Sequence, residues 1–254
     1  MRRFRHLTSQ HRTASTNRLL GGILAFNAGA VNAGGVLVVA MYTSHMTGFA
    51  SQLADNLVLG NMSLVLNALG ALLAFTCGAA FTAIQVNWAR QHGLRSEYAL
   101  PLLVEALLLL LFGLMGATLN RQTPFAVPLT VLVLSFIMGL QNAVVSKISS
   151  SQIRTTHMTG IVTDIGIELG KLFYWNRTGS PFESRVRANR IKLRLLGTLL
   201  GAFIGGGVVG AAGFKYVGFV WVVPLALLLL GLCLPPLYSD FVRTIRRKTA
   251  RQST

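Results

Sequence analysis

Acidic side chains are the scarcest feature of this chain. Only 7 of its 254 residues are Asp or Glu, against 23 Lys and Arg. All charged residues together reach 12%, about half of what a soluble domain carries. So few charges cannot coat a soluble globule, and that class is excluded: apolar surface must face something apolar. Cysteine is almost missing as well. Cys77 and Cys233 both lie in apolar runs, with no His or Asp nearby at ligand spacing. This argues against a disulfide framework and a metal centre, and for structural thiols. H-E-x-x-H and G-x-S-x-G are both missing from the chain. No enzyme, catalytic residue, metal or cofactor is therefore expected.

What the chain has in excess is hydrophobicity, at 52% of residues, with a mean hydropathy of +0.57. A membrane helix needs about 20 mostly apolar residues. Six stretches qualify, near 19–42, 63–86, 98–119, 125–146, 193–214 and 216–238. The first follows Arg2, Arg3, Arg5, Arg12 and Arg18, as a secretory signal would. Its apolar run is too long for a signal, and it has a counterpart deep inside the chain, so it reads as retained.

The net charge of +16 would suggest nucleic acid on a soluble protein. Here the basic residues flank apolar runs, and anionic lipid headgroups are the partner they fit. With the N-terminus inside, 21 of the 23 basic residues fall on the inner side, leaving only Arg121 and Lys215 outside. The positive-inside rule then predicts a multi-pass protein of a bacterial cytoplasmic (inner) membrane with both termini cytoplasmic. The expected organisation is a basic arm at 1–18, a three-span unit at 19–119, a second at 123–238 with a basic loop at 176–194, and a basic tail at 239–254.

The two units share a motif. G-A-V-N-A at 29–33 is followed by S-H-M-T-G at 44–48, and G-L-Q-N-A at 139–143 by T-H-M-T-G at 156–160. Gly29 thus aligns with Gly139, Asn32 with Asn142, and His45 with His157. Three spans per unit is an odd number, so the second unit must enter the membrane upside-down relative to the first. The expected fold is an all-α membrane protein of six transmembrane helices in two inverted three-helix repeats, a pattern recurrent in secondary transporters. After each H-M-T-G comes a segment too short and polar to span comfortably, 47–61 and 159–175. Each is expected as a re-entrant or interfacial helix. Counting them as full spans would move Arg90, Arg95, Lys147 and Arg154 to the outside.

These motifs supply the candidate site. Ser44 and Thr156 are candidate N-caps of the short helices, with Thr47 and Thr159, each followed by glycine (Gly48, Gly160), as alternatives. A helix N-terminus there could receive an anion or polar group, with His45 or His157 beside it to donate, accept or carry a proton. Asn32 and Asn142 complete the substrate-binding candidates. The same residue types, Asn27 included, also serve as interhelical hydrogen-bond glue, and the glycines as close-packing points. Glu105, within L-V-E-A-L-L-L-L-L, is an ionisable group at membrane depth and a candidate for proton coupling. The alternative puts it near the inner interface, snorkelling or pairing with Arg95. Asp164 and Glu168, four apart on one helix face with Lys171 close by, are further proton-coupling candidates. Gln52 and Asn56 occupy the aligned positions in the first unit. The glycine-rich run at 197–213 holds small-xxx-small pairs such as Gly201/Gly205 and Gly206/Gly210, suited to tight helix packing within or between protomers.

On G-x-x-N-A with S-H-M-T-G, and N-A with T-H-M-T-G, the chain resembles the YoaK family of bacterial transmembrane proteins, a domain-of-unknown-function group. The resemblance covers roughly 19–238. It implies membrane class and bacterial origin, and carries over no site residue. The expected function is a small secondary transporter or permease for a small polar or anionic solute, with proton coupling and a homodimer as the forms to test. A membrane-embedded structural or regulatory protein, docking through the basic loop and tail, is the alternative. A membrane-embedded enzyme ranks last.

Overall fold

The computed structural model describes residues 14–118, 126–148, 158–176 and 185–252. Among these, eight α-helices and one 3-10 turn form, with no strand. They are α1 (Ala14–Val39), α2 (Met46–Leu59), α3 (Met62–Gln91), α4 (Ala99–Thr118), α5 (Ala126–Ile148), α6 (Met158–Phe173), α7 (Arg190–Tyr216), the turn Gly218–Trp221, and α8 (Val222–Gln252). Six stretches are long and apolar enough to cross a membrane: Arg18–Val38, Met62–Gln91, Ala99–Gly116, Pro128–Lys147, Arg190–Tyr216 and Gly218–Arg243. They overlap the six expected spans one for one. The two short segments after H-M-T-G are helical, as α2 and α6.

The spans associate chiefly across the two halves of the sequence: α1 packs on α7, α3 on α5, and α4 on α8. The closest approaches are made by glycine. A Cβ on Gly206 would collide with the carbonyl of Phe26, and one on Gly29 with the carbonyl of Phe203. The other pair repeats this: Gly78 sits on the Phe136 carbonyl, and Gly139 on that of Phe75. Four F-x-x-G tetrads, at 26–29, 75–78, 136–139 and 203–206, thus meet two by two. One turn further along, Gly210 lies on Ala30, and Thr82 Oγ1 donates to the Leu140 carbonyl at 3.1 Å. In both pairs the contacts climb by four residues on each helix, so α1 runs parallel to α7 and α3 parallel to α5. Without a side chain between them the backbones touch, which is how helices gain packing energy where lipid removes the hydrophobic drive.

Inside the bundle, Leu24, Leu102, Phe112, Leu134, Leu140 and Leu229 belong to one continuous apolar core. On the outside, Leu66, Leu73, Ile84, Leu114, Ile204 and Leu227 are exposed on the spans, a surface suited to acyl chains and not to water. A smaller cluster, Phe49 with Ala68, Ala71 and Val131, fixes α2. The chain leaves α2 through Gly60, whose φ of +73° puts it in the left-handed region, with its N–H on the Asn56 carbonyl. That cap reverses the direction, so α2 folds back along α3. Its His45 end lies about 20 Å from the turn. α6 packs on α7 in the corresponding way.

Candidate functional site

The end of α1 explains why Asn32 and Ser44 are spaced as they are. After Val39 the chain doubles back through Ala40, at φ +55°. It then passes so close to Gly35 that the Met41 carbonyl and the Thr43 hydroxyl lie 3.4 Å from where a Cβ would be. Asn32 Oδ1 secures the return: it accepts from the Ser44 hydroxyl at 2.9 Å and from the Ser44 N–H at 3.3 Å. The two halves of the motif, thirteen residues apart from Asn to His, are therefore one joint. Ser44 is not the N-cap of α2, because its hydroxyl is turned back to Asn32. Thr47 is not the cap either, since it lies inside the first turn. The N-cap residue is His45, which makes no side-chain capping bond. Its ring lies over Gly48, where an added Cβ would fall 2.7 Å from Nε2 and 3.1 Å from Cγ. Gly48 leaves the room that this ring occupies. His45 and Thr47 are exposed on the monomer.

In the second half, Asn142 is buried on α5, and its Oδ1 has no partner among the described residues. Thr156 and His157 lie outside the described residues. Thr159 and Gly160 form the exposed first turn of α6. The acids of α6 face α7. Glu168 accepts from Lys171 Nζ at 2.8 Å and from the Asn189 N–H at 2.6 Å. The Lys171 ammonium and that N–H hold its carboxyl below the usual carboxylate range. Asp164 pairs with Lys192 at 3.1 Å. Asn189 is the N-cap of α7, its side chain accepting from the Lys192 N–H. The first half has a neutral version: Asn56 Oδ1 accepts from the side chain of Asn61, the N-cap residue of α3, at 3.2 Å. In both halves, then, the short helix is fastened to the residue that begins the next span.

Glu105 is completely buried on α4. It forms no ion pair with Arg95 among the described residues. Its partner is Asn27 of α1, which donates through Nδ2 at 3.3 Å. One turn before Asn27, the Leu24 carbonyl accepts from Gln141 of α5 at 3.2 Å. Three oxygens in this region, Glu105 Oε2, Asn27 Oδ1 and Gln141 Oε1, are buried with no donor among the described residues. Buried acceptors left open are costly. Three of them on three helices mark a place that needs protons or donors from elsewhere.

The chain matches the protein family described as "Protein of unknown function (DUF1275)" over residues 20–234. It belongs to this family. It is also 27% identical to the UPF0700 transmembrane protein YoaK of Bacillus subtilis (strain 168) over 225 residues, which is 85% of this chain and 92% of that protein. No solved structure matches it at a significant level. The family match begins within α1 and ends within α8, so it takes in both motif copies, Glu105 and the acids of α6.

Two parts of the arrangement in this family member escaped the sequence reading. Gln141 stands inside the second motif, G-L-Q-N-A, where only the flanking Gly and Asn were matched; being polar in an apolar span was its available signal. The other part is a network at the inner-side ends of four helices under the expected orientation. Arg90 Nε donates to Glu97 Oε2 at 2.6 Å, and Arg90 Nη2 to the Tyr98 hydroxyl at 3.2 Å. The Tyr98 hydroxyl in turn donates to the Lys147 carbonyl at 3.3 Å. Asp240 of α8 accepts from the backbone N–H groups of Arg95 and Ser96 at 3.0 and 2.9 Å, and from the Ser96 hydroxyl at 2.5 Å. Glu97 and Asp240 are two of only seven acids, and that scarcity was the signal. Among the described residues no three His, Cys, Asp or Glu side chains gather as a metal site.

Proposed function

We propose that the protein is a small secondary transporter of a bacterial cytoplasmic membrane, carrying a small polar or anionic solute and coupled to protons through Glu105. The observation that carries this reading is the buried Glu105–Asn27 pair with its open oxygens. Glu105 is six residues into α4, about 9 Å along the helix, and Asn27 nine residues into the apolar span that begins at Arg18, about 14 Å. Both fall inside a hydrocarbon layer about 30 Å thick, where an ionisable group defaults to a functional role.

Two further observations support it. Parallel α1/α7 and parallel α3/α5 are the pairings expected of two three-span halves inserted in opposite senses, with alternating spans and F-x-x-G joints in equivalent places. In addition, α2 folds back along α3 and carries an exposed polar face of Thr47, Ser51 and Asp55, spaced four apart. A polar face at that depth suits a water-lined cavity and not lipid. The inner-side network of Arg90, Glu97, Ser96 and Asp240 would close the opposite end, giving one open and one closed side. A docking role for the chain finds support in α8, which continues as a basic helix to Gln252; deleting 243–254 separates the two readings.

The test is solute-driven proton movement in proteoliposomes loaded with a pH-sensitive dye. Candidate solutes are first screened by thermal stabilisation of the purified protein, since a ligand of the folded state raises its apparent stability. Glu105→Gln should remove the proton signal while the solute still stabilises the protein. Undiminished proton flux in Glu105→Gln would refute the coupling.

A further inference from the structure

Where α6 ends and α7 begins, an aromatic cluster and a basic one are held side by side. Phe173, Tyr174 and Trp175 close α6 and are 81%, 58% and 90% exposed. Asn176 follows, and its amide makes two bonds to one residue of the segment leading into α7: Nδ2 donates to the Val186 carbonyl at 3.1 Å, and Oδ1 accepts the Val186 N–H at 2.9 Å. That clip ties the residue after Trp175 to the backbone between Arg185 and Arg187. Three residues later Asn189 is bound by Glu168, so the segment 185–190 is fixed along the end of α6.

The charge balance of this surface is one-sided. Among residues 158–176 and 185–194 there are six basic side chains, Lys171, Arg185, Arg187, Arg190, Lys192 and Arg194, and two acids. Both acids are taken, Glu168 by Lys171 and Asp164 by Lys192, and Arg185 and Arg187 make interactions of their own, so Arg190 and Arg194 carry the charge offered outward. Arg190 and Arg194 stand four apart on the first turns of α7, both exposed, with the 72% exposed Ile191 between them. Aromatic rings with one apolar and one polar end collect at the headgroup level of a bilayer. Arginine there presents a fork that matches phosphate oxygens.

We propose that this surface is a binding site for anionic glycerophospholipid headgroups, with Trp175 and Phe173 inserted at the acyl boundary and Arg190 and Arg194 on the phosphates. Its position decides the occupant: α7 becomes a span within a turn or two of Arg194, so the site lies where a helix enters the bilayer. An excess of positive charge facing a membrane surface selects lipids of negative charge. The proposal stands apart from transport and holds whichever leaflet the surface faces.

The experiment uses the full chain in vesicles of phosphatidylcholine and phosphatidylglycerol at equal mole fractions, with bromine placed near the top of the acyl chains of one lipid or the other. Tryptophan quenching is read in wild type and in Trp175→Phe, the difference reporting Trp175. Brominated phosphatidylglycerol should quench it more strongly, reflecting a local preference on the order of fivefold per arginine. In Arg190→Gln/Arg194→Gln that preference should fall toward parity, while Trp175 remains quenched. Both arginines are exposed, so the variant leaves the core untouched. Equal quenching by the two lipids in wild type would overturn the proposal. So would no quenching by either, which would assign the surface to a protein partner or a second copy of the chain.

Discussion

Gly206 and Gly201 stand on the same helix and make opposite demands. A Cβ on Gly206 would lie 2.7 Å from the Phe26 carbonyl carbon and 2.8 Å from its Cα, and nearer still to its oxygen, where ordinary contact begins at 3.4 Å. The atoms in the way are backbone and cannot rotate aside, so α1 and α7 must part by on the order of 1 Å. Overpacking of this kind costs about 1–3 kcal/mol, and alanine's better helix propensity returns at most about 1. A Cβ on Gly201 would meet nothing within 4 Å, so Gly201→Ala keeps only the gain. A chain of this size moves its midpoint by about 2–4 °C per kcal/mol. Thermal unfolding in detergent, followed by tryptophan fluorescence, should place Gly206→Ala several degrees below wild type and Gly201→Ala level with it or slightly above. Gly29→Ala, Gly78→Ala and Gly139→Ala should behave like Gly206→Ala. A Gly206→Ala protein that melts no lower than Gly201→Ala would refute the account of how these helices are joined.

Two other expectations concern the joints beside the short helices. Asn32→Ala strips the Ser44 hydroxyl and N–H of their acceptor and should cost about 1–3 kcal/mol; Ser44→Ala loses one bond and should cost about 1. Melting temperatures in the reverse order would show that Asn32 is not the organising partner. Glu168 has a folded-state carboxyl lowered by Lys171 and the Asn189 N–H, against an unfolded value near ~4.3. Its contribution is therefore complete above that unfolded value and fades as pH falls through the lower folded one. A melting series from neutral pH down to about 3.5 should show wild type losing more midpoint than Glu168→Gln, and parallel curves would remove the role given to the carboxylate.

How much of this could be read from the letters depends on the distance over which each feature acts. The spans were legible because apolar runs of the necessary length interrupt a chain whose basic residues cluster between them. The short helices were legible from a motif repeated after the first and fourth spans. The partner of Glu105 was not, because Asn27 is 78 positions away and no local pattern ties the two. The same holds for Asp240, which closes onto Arg95 and Ser96 from the far end of the chain. The F-x-x-G tetrads were present four times, yet phenylalanine and glycine are ordinary letters in an apolar span, and only the crossings show that these four matter. The capping role expected of Ser44 failed for a nearby reason: Asn32, a better-placed acceptor, takes both its donors.

Those crossings also restrict how the two halves could move. A carbonyl seated where a Cβ is missing behaves as a notch: sideways slippage would drive the neighbouring side chains into backbone, whereas tilting about the contact leaves the seat intact. With two such notches between α1 and α7 and two between α3 and α5, these helix pairs have a fulcrum each and no sliding plane. Any change of shape should therefore be a rocking of one helix set against the other, with its largest excursions at the ends of the spans and its smallest at Phe26, Phe75, Phe136 and Phe203.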